Sequence, residues 1–216
     1  VKNDSECNRE PSKSYFKFEK IILRSLNLVS LHNTLKAHLG ASDPSLDFSD
    51  LLRAAVVISV AGMDAYFTDV FAERLVPFLK KKGPTKDLVQ LLGKAGLNTS
   101  VALELLSMER PFRRIRTLVE SRLGLQVTQR IDAINELFKA YGIPNFCAHV
   151  ERKLGRTQLC RRVNLLVERR HAIAHDGDLN SHGGLMNLDA TWVRNKVRDV
   201  QGFVRTADEI LYNQLS

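Results

Sequence analysis

The sequence predicts an all-α fold: a helical bundle with two long N-terminal helices, a variable helical insertion, a motif-bearing helix and a closing C-terminal helix. Three observations predict it. Apolar residues recur at three- and four-residue spacing through most of the chain, the period of a helix that buries one face. Strict apolar–polar alternation, the mark of a half-buried strand, is poorly represented. Glycine, proline and short polar residues fall between the periodic stretches, where helices start and stop.

The elements follow in order. Residues 1–14 are polar and are expected to be disordered. Over residues 15–39 the apolar positions Phe18, Ile21, Ile22, Leu26, Val29, Leu35 and Leu39 keep helical spacing, and Gly40 supplies a C-terminal stop. A loop covers 40–48. Ser49 is placed to cap a second helix over about 50–81, apolar at Leu51, Leu52, Val56, Val60, Met63, Phe67, Val70, Phe71 and Leu75. Pro77 should kink or end it, and Gly62 offers room for a neighbouring helix. Over about 84–155, shorter helices are separated at 93–98, Gly124, 142–144 and Gly155, with Thr128 and Asn145 as candidate caps. The next helix covers about 156–174, a glycine-containing loop 176–188, and Asp189 caps a last helix ending near Leu215. Residues 15–216 therefore read as one helical domain, with 84–155 a helical insertion.

A chain of 216 residues can bury a sizeable core without disulfides or a structural metal. Its 44% hydrophobic and 26% charged residues are the balance of a globular protein rather than a disordered one. No apolar run reaches the roughly 18–20 residues that span a bilayer; the longest candidate covers 54–61. The first residues lack the apolar core of a signal peptide. Cys7, Cys147 and Cys160 are odd in number and show no C-x-x-C spacing, which argues for a reducing compartment. The expected setting is cytoplasmic, with no membrane partner. The chain opens on Val1 rather than methionine, so it reads as trimmed or as a piece of a longer protein.

The formal net charge of +8 is unevenly placed. Residues 110–170 hold 14 Lys and Arg against 5 Asp and Glu, while the remainder holds 18 against 19. Such a field attracts a polyanion, and RNA is the expected partner. The other reading is a solvated basic face with no partner.

The same basic third ends in Leu165-Leu166-Val167-Glu168-Arg169-Arg170-His171-Ala172-Ile173-Ala174-His175-Asp176-Gly177-Asp178. On a helical wheel Val163, Leu166, Val167 and Ala174 form an apolar stripe, and Arg170 falls inside it. A guanidinium on a buried face must find a carboxylate, a carbonyl or a ligand. It is either half of a salt bridge, to Asp64 or Glu73 of the second helix, or an arginine lining a cleft for an anion. His171 and His175 share a face. They could be simply solvated, could hold a metal with Asp176 or Asp178, or could move protons near neutral pH. A cation beside such an imidazole is what cleavage of an RNA backbone requires.

The string from Arg170 to His175 resembles the signature of HEPN-domain proteins, in which arginine is followed by Asn, Asp or His, three residues and a histidine. The fuller string 166–178, ending Ile-x-His-Asp-Gly-Asp, resembles the RiboL-PSP-type branch. Residues 51–54 and 60–67 (Leu51-Leu52-Arg53-Ala54 and Val60-Ala61-Gly62-Met63-Asp64-Ala65-Tyr66-Phe67) resemble its second helix, with Asp64 where that helix often has Glu. The resemblance implies an α-helical bundle forming a homodimer with a composite active site across the interface. It implies a metal-independent endoribonuclease in a defence, stress or toxin setting, needing no cofactor and leaving a 2′,3′-cyclic phosphate and a 5′-hydroxyl. An antitoxin or other regulatory partner is then expected. Carried over, His175 is general acid or base, Arg170 stabilises charge developing on the phosphate, and His171 orients or assists. The tyrosine that branches paired with a nucleotidyltransferase carry two residues after the histidine is Gly177 here. The alternative within the family is a non-catalytic RNA- or nucleotide-binding and dimerisation module.

Other residues read as follows. Arg161, Arg162 and Arg169 extend a phosphate track or face solvent. Arg113, Arg114 and Arg116 contact phosphates, with Phe112 free to stack a base, or open an exposed helix. Asp64 and Asp176 are expected to support the arginine and the histidines. Trp192 is expected in the core, and Cys147 and Cys160 as small buried apolar residues.

Overall fold

The computed structural model describes residues 10–215 apart from 41, 44 and 125–127. Among the described residues it holds nine helices and no strand: α1 Lys13–His38, α2 Ser49–Lys82, α3 Lys86–Lys94, α4 Thr99–Ser107, α5 Pro111–Leu123, α6 Ile131–Lys139, α7 Phe146–Leu154, α8 Leu159–His175 and α9 Ala190–Leu215. The all-α bundle expected from periodicity is what forms.

α2 is the axis of the bundle and packs against α1, α9, α8 and α5. It is buried on several sides, at Leu52, Val56, Val60, Met63, Tyr66, Phe67, Phe71, Leu75 and Phe78. By length and composition it could cross a membrane, and 56% of its most apolar window is buried inside the bundle. A helix surrounded by other helices is expected to be apolar all round. Phe67 anchors the core, meeting Phe138, Phe146 and Phe203 edge-on at 5.8–6.4 Å between ring centroids. Phe138 of α6 and Phe146 of α7 thereby tie the insertion to the frame of α1, α2, α8 and α9.

Several boundaries differ from expectation for local reasons. Residues 1–9 of the expected disordered segment, and with them Cys7, lie outside the described residues. Ser12 and Ser14 do not fray: both are buried. The Ser12 hydroxyl donates to Asp208 Oδ1 at 2.5 Å and accepts from Tyr15 N, so α1 starts at Lys13. Ser49 is not a cap but the first helical residue of α2, and Asp47 accepts from both its amide and its hydroxyl. Pro77 does not end α2, which runs on to Lys82, because Leu75 and Phe78 on either side are buried. Thr128 caps nothing; its amide donates to Asp64 Oδ1 at 2.9 Å. Asn145 precedes α7 in a left-handed conformation with no side-chain cap, and Asn135 Oδ1 takes the Cys147 amide instead. α8 begins at Leu159 rather than 156. Asp189 does cap α9, accepting from Trp192 N at 2.7 Å.

Candidate active site

The candidate site is the C-terminal end of α8. Leu159, Val163, Leu166 and Val167 are buried and fix the rotation of the helix. Arg170 follows Leu166 and Val167 at the four- and three-residue spacing of the same face, and is half-buried. His171 and His175 stand on the exposed side, their ring centroids 4.6 Å apart and the rings inclined at 62°. Ala174, expected in the buried stripe, is exposed.

The salt bridge offered for Arg170 does not form among the described residues. Asp64 is engaged elsewhere: Oδ1 takes the Thr128 amide and hydroxyl, and Oδ2 takes Gln129 Nε2 at 3.1 Å. Glu73 accepts from the Ser14 hydroxyl at 2.7 Å. Arg170 Nε is buried with no hydrogen-bond partner. A half-buried guanidinium without a carboxylate is the arrangement expected of a group that waits for an anion.

The turn after His175 is strongly built. Gly177 and Asp178 take positive φ, 62° and 59°, and the Asp176 and Asp178 amides both return to Ala172 O, at 3.0 and 3.1 Å. This closes the last turn of α8 by satisfying its free carbonyl. The left-handed conformation turns the Asp178 carboxylate inward, where it is fully buried. Its Oδ2 accepts from Arg53 Nε of α2 and from Arg169 Nη2 of α8, both at 2.8 Å. The same two arginines donate to Met186 O, at 2.9 and 3.2 Å. Met186 N in turn donates to Asp178 O at 2.8 Å. One carboxylate and two guanidiniums thus clamp loop 176–188 onto α2 and α8.

The family profile of RiboL-PSP-HEPN matches residues 19–213. The chain belongs to that family. A search of curated proteins and of solved structures found no match. The profile covers nearly the whole chain, and membership makes it an RNase or nucleotide-binding type of domain.

Within this HEPN domain the expected phosphate track is dispersed. Arg169 is committed to Asp178 and to the carbonyls of Met186 and Asn187. Arg162 pairs with Asp199 at 2.9 Å and donates to Thr157 O. Arg161 is exposed on α8. Asp176 is exposed at the helix cap. Arg113, Arg114 and Arg116 are exposed on α5, and Arg116 pairs with Glu120 at 2.7 Å. Phe112 at the start of α5 lies under Lys80 of α2, 5.3 Å from its ammonium. Arg53 marks the end of α2 that meets the motif, so Phe112 and the start of α5 sit roughly 40 Å along α2 from it at 1.5 Å per residue. Among the described residues, no three His, Cys, Asp or Glu side chains converge in a way that could hold a metal ion.

Sequence reasoning missed Arg53, and its signal was present. Arg53 interrupts Leu51-Leu52-Arg53-Ala54-Ala55-Val56, so it is a cation on an apolar helix face just as Arg170 is.

Proposed function

We propose that this HEPN domain is a metal-independent endoribonuclease whose chemistry rests on Arg170, His171 and His175. The observation that carries the reading is the half-buried, unpaired Arg170 at the same end of α8 as two exposed imidazoles whose ring centroids lie 4.6 Å apart. In the proposed reaction one imidazole takes the proton of a ribose 2′-hydroxyl. The 2′-oxygen bonds to the adjacent phosphorus, the bond from phosphorus to the 5′-oxygen breaks, and a protonated imidazole gives that oxygen its proton. The products are a 2′,3′-cyclic phosphate and a 5′-hydroxyl. Arg170 would hold the non-bridging oxygens, where charge develops.

Two proton transfers at opposite oxygens are best served by two imidazoles, and a homodimer would supply His175 twice. Exposed Leu179, Leu185 and Met186 beside the motif offer apolar surface for such contact. The setting we propose is cytoplasmic, in a defence, stress or toxin system, with an antitoxin or similar partner restraining it.

A second reading, a binding module without cleavage, is favoured by one observation. Among the described residues, neither His171 nor His175 is held by a hydrogen bond, whereas a general base is ordinarily oriented by a third group. Labelled single-stranded RNA incubated in EDTA with the wild type and with His175→Ala decides between them. Cleavage by the wild type alone, leaving cyclic phosphate ends and falling about a hundredfold or more in the variant, is the expected result. Equal cleavage by both proteins overturns the assignment. Binding of RNA without scission by either favours the module.

A further inference from the structure

Trp192, expected in the core, packs against it but leaves part of its ring uncovered. It is only partly buried and lines a pocket of about 250 Å³ together with Arg169, Asn187, Leu188 and Asp189. Hydrogen bonds and packing fix the residues around the pocket. Asp189 fixes Trp192 in the first turn of α9 through its amide. Lys196, one turn on and itself buried, places its ammonium 5.6 Å from the indole ring, a cation–π distance. Arg169 Nη2 holds the Asn187 carbonyl at 3.3 Å while bound to Asp178. Leu188 supplies a buried apolar wall. The Asn187 side chain is exposed and makes no hydrogen bond among the described residues; its amide offers both a donor and an acceptor.

We propose that this pocket receives an unpaired base of the RNA: the base stacks on Trp192, and Asn187 meets its hydrogen-bonding edge. The inference rests on the reading that RNA approaches this end of α8. An indole face, an apolar wall and a free amide in a space of nucleobase size are what single-stranded recognition uses. Arg169 forms one wall and lies about 9 Å along α8 from His175, so a base held here belongs to the strand that reaches the histidines. A base paired in a duplex could not enter, so the pocket selects single-stranded RNA.

The chain contains one tryptophan, which makes the pocket its own reporter. The full chain carrying His175→Ala, so that nothing is cut, is titrated with a ten-nucleotide oligo(A) RNA and separately with adenosine monophosphate. Quenching of Trp192 fluorescence by the oligonucleotide is expected. By polarisation of the labelled oligonucleotide, Trp192→Ala should weaken binding about tenfold or more, and Trp192→Phe should restore most of it. Asn187→Ala, exposed and unbonded, tests the same pocket without touching the core, with a severalfold loss expected. RNA binding without quenching, and unchanged in Asn187→Ala and in folded Trp192→Ala, overturns the proposal. Quenching by adenosine monophosphate with none by the oligonucleotide overturns its RNA form and assigns the pocket to free nucleotides. Should the wild type cut no RNA while quenching and the Trp192 dependence persist, the catalytic reading fails and this one stands.

Discussion

Arg53 donates through Nε to Asp178 at 2.8 Å across 125 residues of sequence, with almost no solvent at either group. That contact joins the middle helix of the bundle to the turn that ends the motif. Asp178 is shared with Arg169, so removing the carboxylate leaves two cations facing each other in a dry site. Breaking a buried pair by deleting one partner costs about 3–5 kcal/mol, mostly from the charge left behind. Asp178→Ala should therefore lower unfolding stability by about that amount in urea. Arg53→Met should cost less, because Arg169 still neutralises Asp178. Equal stability of wild type and Asp178→Ala would show that the clamp carries no energy.

That clamp also marks where sequence reading stops. The long helices were legible because helical periodicity is local, and so was the cap at Asp189. The nearness of His171 and His175 was legible because four residues along a helix bring two side chains to one face. A partner 125 residues away is set by packing alone. Thr128 shows the same limit: a good cap by residue type, it was drawn instead to Asp64 by the fold of the insertion. Trp192 is a third case. Its spacing suits the core face, and only the position of the 187–189 segment leaves part of the ring uncovered.

Arg113 and Arg114 follow Phe112 at the far end of α2 from the motif, roughly 40 Å away at 1.5 Å per residue. A short RNA held at His175 cannot reach them in the same protomer. Arg113→Ala with Arg114→Ala should leave binding of a six-nucleotide RNA unchanged. It should weaken binding of an RNA of some forty nucleotides, with the salt slope falling by about 0.7 for each phosphate that is no longer neutralised. An equal weakening for the short RNA would place α5 beside the histidines, against the geometry.

Burial and the neighbouring Glu151 push the Cys160 thiol up to about 12. Burial, with a smaller contribution from Cys160, pushes Cys147 up as well. An unfolded cysteine loses its proton near 8.5, so above that pH the unfolded chain binds fewer protons than the folded one. Stability from these thiols is fully present below about pH 8.5 and declines as pH rises toward the folded values. Melting temperature should hold between pH 7 and 8 and fall between pH 8.5 and 9.5, before unfolded tyrosines titrate. The fall should be shallower in Cys160→Ala. Iodoacetamide at pH 8 should spare both cysteines in the native protein and label both in urea, since the thiolate is the reactive form. Rapid native labelling of Cys160 would contradict the raised thiol pKa that its half-buried site gives it.

At Gly62 the helices α1 and α2 approach closely. A Cβ built there would lie 2.7 Å from Ile21 Cγ2 and 3.3 Å from Ile21 Cβ. Replacing a helical glycine by alanine ordinarily gains up to about 1 kcal/mol. At this position the gain is opposed by a β-branched side chain that has essentially one rotamer in a helix, so the clash can be relieved only by moving α1. Overpacking of this kind costs about 1–3 kcal/mol, enough to reverse the sign. Gly62→Ala should therefore melt below wild type. The double variant with Ile21→Ala should be more stable than the sum of the two single changes implies, because the second change removes the atom the first one meets. Strict additivity, or a Gly62→Ala protein more stable than wild type, would mean that the two helices are not in contact there.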